Sequence, residues 1–159
     1  MNTLVFSARK KSLSTPESRR GDRVHEVLSR LDVYPDTAGL AAALRAAAQG
    51  LLPEDGVEAL AAFLSTPGAA RFFTGDIRAQ REIDVAAPEE GRVRVLRLDR
   101  LVVAADTAWI IDFKTGSEYA EEHRRQVAEY MRVVGPLVPK LRVRGALLYT
   151  DLGRVEEVE

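Results

Sequence analysis

Residues 97–116, RLDRLVVAADTAWIIDFKTG, constrain this chain more than any other stretch. Two β-rich apolar runs lie either side of the turn residues Ala105-Asp106-Thr107, and each run carries a carboxylate, Asp99 in the first and Asp112 in the second. Such runs read as neighbouring strands with buried faces. Side chains alternate along a strand, so Asp112 and Lys114 point one way and Phe113 the other. Two carboxylates and an ammonium on adjacent strands make a site for a divalent cation and a phosphate. Carboxylate oxygens suit Mg²⁺, and the metal together with Lys can stabilise charge developing at phosphorus.

The flanking sequence supplies helices first and strands later. Thr15-Pro16-Glu17-Ser18 opens a helix through about Leu31, with Val24, Val27, Leu28 and Leu31 as its apolar stripe. Tyr34-Pro35-Asp36 ends it, and Thr37 is placed to cap a second helix running to about Gln49. A third spans about 54–65, before Pro67-Gly68. Strands follow at 78–86 and 92–103, joined by a turn at Pro88–Gly91. A change of phase near Leu96 indicates a bulge or a strand buried on both faces. The Asp112 strand runs 108–114, a helix runs from Tyr119 to Val134, and strands at 141–150 and 153–158 complete the order ααα-βββ-α-β(β). That order predicts a mixed sheet with helices on its faces.

A chain of 159 residues is long enough for one domain with a real core. It has no cysteine, which excludes disulfides, thiolate catalysis and a Cys-ligated iron–sulfur cluster. No apolar run approaches the roughly 20 residues that span a bilayer, and no secretory signal is visible, so a cytoplasmic location is expected. Net charge is −1, yet residues 1–30 carry seven basic residues against three acidic ones. A basic face there could meet a phosphate backbone or could simply be solvated. No Gly-x-x-x-x-Gly-Lys-Ser/Thr is present, so the chain lacks a P-loop motor.

Further residues join the central three. Gly21-x-x-x-His25-x-x-Leu28 comes first, Glu82 sits on the strand before Asp99, and Gln126 and Tyr130 share a helix face four residues apart. In order with Asp99 and Asp112-Phe113-Lys114-Thr115, they resemble the nuclease domain of RecB- and AddA-type helicase–nucleases, within the PD-(D/E)XK superfamily. The resemblance implies a restriction-endonuclease-like α/β fold: a mixed β-sheet flanked by helices, with a helical N-terminal half. Residues 1–16 would be a linker or irregular segment, and 17–159 the nuclease domain.

The resemblance also implies roles. Asp99, Asp112 and the Phe113 backbone carbonyl would bind Mg²⁺, with Mn²⁺ able to substitute and His25 as a further ligand. Lys114 would orient or help deprotonate the attacking water, and Glu82 would assist through a second metal or a water. Gln126, Tyr130, Gly21 and Thr115 would support the site and its DNA. The implied partners are DNA and a helicase domain of the same or a partner chain, with a role in recombination and repair. One departure from the family pattern is Leu96, where Gly is usual, followed by Arg97; a side chain there would stand near the metal or the DNA.

Each residue has a plainer alternative. Asp112 could be a solvated strand end, Asp99-Arg100 a surface ion pair, His25 an exposed helix residue, and Gln126 and Tyr130 ordinary packing. Asp84 competes with Glu82. His123 reads as surface, and Trp109 and Phe113 as core. A non-catalytic DNA-binding or scaffolding module of the same fold is the alternative function. A stand-alone restriction-type nuclease is disfavoured, since no second region offers to read base edges. With so little net charge, the isolated chain is expected to bind short single-stranded DNA with a Kd weaker than about 1 μM at physiological salt.

Overall fold

A computed structural model describes residues 15–159. The expected irregular segment 1–16 therefore falls, up to residue 14, outside the described residues, and Pro16 already belongs to the first helix. Four helices come first: α1 (Pro16–Ser29), α2 (Thr37–Ala48), α3 (Glu54–Leu64) and the single turn α4 (Pro67–Ala70). Three strands follow, β1 (Arg78–Glu89), β2 (Arg92–Ala104) and β3 (Thr107–Lys114). Then come α5 (Ala120–Val134), a 3₁₀ turn at Gly135–Leu137, β4 (Arg142–Tyr149) and β5 (Arg154–Val158).

The helix starts follow capping chemistry. Thr15 accepts the Ser18 N–H at 3.1 Å ahead of Pro16 at the first helical position. At α2 the cap is Asp36, which accepts the Gly39 N–H at 2.8 Å, and Thr37 is the first helical residue instead. The sequence also gave no warning of α4. Pro67 ends α3 but, with φ preset for a helix, begins a new turn.

The strands form one sheet in the order β1-β2-β3-β4-β5. Only β3 and β4 are parallel, joined by the crossover helix α5. This is the mixed, helix-flanked sheet expected. On one face Val27, Leu28, Leu64, Phe72 and Phe73 of the N-terminal helices and the loop after α4 pack with Val102, Trp109, Ile111 and Phe113. On the other, Val127, Tyr130 and Val134 of α5 meet Leu98, Ile110, Leu147 and Tyr149. The crossover sits tight on β4: a Cβ at Gly145 would lie 2.3 Å from Val127 Cγ1, so only glycine admits the helix there.

The phase change in β2 is real, but it falls at Asp99, three residues beyond Leu96. Ala79 and Val102, paired across β1 and β2, join the N-terminal helical core. Ile83 with Leu98, and Val85 with Leu96, join the α5 core instead, although unbroken alternation would keep all six side chains on one face. The ladder turns over between Arg81↔Arg100 and Ile83↔Leu98. Glu82 takes φ 46° there, a left-handed value that costs a non-glycine residue energy. The pairing of β2 with β3 also ends at this point, at Arg100↔Ile111.

Arg100 is not the surface partner of Asp99. It is 1% exposed, and its guanidinium donates to three backbone carbonyls, Phe72 at 3.0 Å, Leu31 at 2.8 Å and Asp32 at 2.9 Å. It also lies 4.3 Å over the Phe73 ring. Burial lowers its pKa to about 10, opposed by the nearby Asp32, so it is charged at neutral pH. The fork ties the sheet centre to the ends of α1 and α4. Arg100→Met is expected to cost about 3–5 kcal/mol, because it orphans two buried carbonyls and a part-buried third. Chemical denaturation checks this, with Arg100→Lys recovering only part of the loss because one ammonium cannot reproduce the fork.

Candidate active site

The site lies where β2 parts from β3. Asp99 Oδ2 accepts the Phe113 backbone N–H at 2.8 Å, so its carboxylate takes the place of a ladder bond and is pinned against β3. Across β3, Asp112 is 4% exposed. Lys114 Nζ stands 2.9 Å from Asp112 Oδ2 as an ion pair of poor hydrogen-bond geometry, and no other donor among the described residues reaches that buried oxygen. Lys114 instead donates to Gln126 Oε1 at 3.0 Å, and Gln126 Nε2 donates to Tyr130 Oη at 2.7 Å. Helix α5 thus holds the lysine through a relay four residues long. The Lys114 carbonyl is fixed from the other side by the Thr150 N–H at 2.8 Å.

His25 reaches the same place from α1. Its Nδ1 lies 3.1 Å from the Gly21 carbonyl and its Nε2 3.5 Å from Asp99 Oδ2. A carbonyl only accepts, so the hydrogen of that bond is on Nδ1 and Nε2 is the atom turned to the carboxylate. Gly21 sits against β3, where a Cβ would stand 3.4 Å from Thr115 Oγ1. Phe113 packs edge-on to the His25 ring and stacks on Phe73, as a core residue should.

The charges pull on one another. Burial, then the charge of Asp99, raises the Asp112 pKa to about 6, against the pull of Lys114 and His25. Burial raises Asp99 too, but His25, the Phe113 N–H and Lys114 outweigh it and hold Asp99 below the usual carboxylate range. Burial pulls His25 down, while the hydrogen bond and charge of Asp99 and the Gly21 carbonyl carry it above its ordinary value.

Glu82 is not brought into this network. It stands across the hairpin from Asp99, exposed, with no side-chain hydrogen bond or ion pair among the described residues. Leu96 does not crowd the site: it is 5% exposed and packs with Val85 and Val134 in the α5 core, while Arg97 turns outward to pair with Asp84 at 2.9 Å. His123 is half-buried, its Nδ1 3.3 Å from Tyr149 Oη, and it borders the groove beside Lys114. Tyr119, in the loop after Lys114, lines a groove beside the lysine. The sequence reading used it only to start a helix, although an aromatic in a loop directly after the Asp-x-Lys strand was the available signal.

Among the described residues no cluster of three or more His, Cys, Asp or Glu side chains could hold a metal ion. The donor set nevertheless fits Mg²⁺, which keeps several waters and binds through one or two carboxylates plus substrate phosphate. A neutral His25 presents an Nε2 lone pair to Asp99, and the buried Asp112 carboxylate has only Lys114 beside it among the described residues; a cation held by the carboxylates would relieve both.

A family model described as the PD-(D/E)XK nuclease superfamily matches residues 4–159. None of the curated proteins compared with the chain matches it.

The buried carboxylate has a consequence for stability. A carboxyl with a raised folded pKa binds its proton more tightly folded than unfolded. Its burial costs nothing below the unfolded value near 4 and costs in full above about 6. Asp99, held low, acts with the opposite sign: it contributes above the unfolded value and loses that contribution in acid. In EDTA at pH 7, Asp112→Asn is therefore expected to be more stable than wild type by roughly 1–3 kcal/mol, the gap shrinking as pH falls from 6 to 4. Denaturation curves at three pH values read it, and a pH-independent gap contradicts the assignment.

Proposed function

The chain belongs to the PD-(D/E)XK nuclease superfamily, and from that membership and the site geometry we propose that it is a Mg²⁺-dependent deoxyribonuclease of the RecB/AddA type, fed by a helicase domain in recombination or repair. One observation carries the reading: two carboxylates from neighbouring strands, one of them buried with the lysine as its charged partner at 2.9 Å, meet a lysine that a helix holds in place.

Asp99, Asp112 and the Phe113 carbonyl would hold the cation, with His25 completing the set through Nε2. The cation would supply Lewis acidity toward a phosphate oxygen and lower the pKa of water by several units. Lys114 carries the chain's own chemistry. Its ammonium, kept in place by Gln126, can orient the attacking water and stabilise the negative charge that builds on phosphorus as the P–O bond breaks. Tyr130 fixes the Gln126 amide so that its oxygen, not its nitrogen, faces the lysine. The non-catalytic alternative loses its main support, because Leu96 turns into the core rather than across the site.

The test is cleavage of linear DNA by the purified chain in Mg²⁺, Mn²⁺ or EDTA. Asp112→Asn should reduce cutting to background while keeping the fold, and Lys114→Ala should lose roughly 10²–10³-fold in rate. Undiminished cutting by Asp112→Asn would sink the reading. For His25→Ala the loss is smaller and shows in metal affinity. Wild-type affinity should weaken as pH falls through a histidine pKa held above its ordinary value, since imidazolium binds no metal. Calorimetric titrations that match between wild type and His25→Ala would assign the histidine a structural role.

A further inference from the structure

We infer that the two grooves flanking α1 form one path for single-stranded DNA, with phosphates on Arg19 and Arg23 and a base stacked on Tyr119 beside Lys114. This rests on the nuclease reading above and adds the form of the substrate and the residues that hold it outside the chemical site. The first groove, about 430 Å³, is lined by Arg19, Arg20 and Arg23 with Leu51, Leu52 and Pro53, and has no carboxylate in its wall. The second, about 410 Å³, includes Lys114, Thr115, Tyr119 and His123. Arg20 belongs to both, and a smaller pocket containing Arg20, Leu52, Pro53 and Asp151 lies between them. The surface is therefore continuous from the arginine cluster to the active-site lysine.

The two grooves differ in what they can hold. Three guanidiniums over an apolar floor suit a phosphodiester backbone. Arg20 is tied to Asp151 at 3.0 Å, while Arg19 and Arg23 form no ion pair among the described residues. In the second groove Glu17, Glu118 and Asp151 offset Arg20 and Lys114, so a string of phosphates is not favoured there. It offers aromatic surface instead: Tyr119 is 58% exposed, one of the few large hydrophobic side chains left so among the described residues, and the His123 ring forms part of the same wall. Burial and the charge of Lys114 lower the His123 pKa, so its ring presents a neutral face. An electrostatic groove leading to an aromatic platform is the arrangement that binds a single strand without reading its sequence. A duplex buries its bases in the stack and cannot use Tyr119. With the base on Tyr119, the adjoining phosphate falls at Lys114.

Fluorescence anisotropy with labelled oligothymidine, in EDTA and at low salt, tests the path without cleavage. Wild type should bind oligothymidine more tightly than a blunt duplex. Tyr119→Ala should weaken the single strand roughly 5- to 100-fold, the loss expected for one base stack, while Tyr119→Phe and duplex binding stay near wild type. Arg19→Ala with Arg23→Ala should flatten the slope of log K against log salt by about 1.4, or 0.7 per lost single-strand contact. Unchanged oligothymidine binding in both variants, a duplex that loses as much as the single strand, no wild-type binding, or tighter binding of oligouridine each overturns the path. These outcomes are independent of whether Asp112→Asn still cuts, so a failed path and a failed nuclease reading are told apart. All three side chains are exposed, and circular dichroism verifies that the variants fold.

Discussion

The hydrogen bond from the Phe113 N–H to the Asp99 carboxylate organises the middle of this protein. A strand that parts from its neighbour leaves backbone donors in a low-dielectric interior, and each must find a partner. Here the partner is a charged side chain. It lets β2 leave β3 after Arg100, lets the hairpin turn over at Glu82 and Asp99, and fixes a carboxylate within reach of Asp112. One bond thus serves both the sheet and the site. The left-handed backbone at Glu82 accompanies the same turnover, which explains why a glutamate there faces solvent rather than Asp99 and Asp112.

A buried cation, Arg100, and a half-buried one, Lys114, then hold the layers on either side, in different ways. Arg100 is held by three carbonyls and an aromatic ring and is 1% exposed, so it is structural: it locks the helical layer onto the sheet and is closed to a ligand. Lys114 has one strong hydrogen bond, to Gln126, and one charge contact, to Asp112, and it faces a groove. A fully satisfied network rigidifies, whereas an incompletely satisfied one keeps capacity for a substrate. The two residues lie close together in the sheet, yet only the second is arranged for chemistry.

Much of this was legible in the sequence. The alternation in Asp112-Phe113-Lys114 placed the acid and the base on one face, and Phe113 does pack in the opposite core. The four-residue spacing of Gln126 and Tyr130 put both on one side of α5, where they form the relay to Lys114. Local rules sufficed because those features are local. What escaped depends on tertiary contacts. Arg100 looked like a neighbour for Asp99, since nothing in sequence reveals three carbonyls gathered from Leu31, Asp32 and Phe72. Leu96 looked like an obstruction because the family pattern has Gly at that position, and only tertiary packing shows that it enters the core with Val85 and Val134. Asp36 took the cap assigned to Thr37 because both types cap well and only the chain's entry angle decides.

The pair Asp99 and Asp112 is costly by construction. Asp112 is held in a place that favours its protonated form, with a neighbour that favours the charged form of its own carboxylate. A protein selected for stability alone would replace one of them, and strain of this kind persists where it serves a ligand. Two carboxylates and a histidine leave a small hard cation short of oxygen donors, and a phosphate can supply the rest. On the proposed reading, cation and DNA therefore complete each other's coordination, and each raises the other's affinity by the same factor, as linkage requires. On that reading such coupling would tie hydrolysis to the moment when a strand lies in the groove beside Lys114.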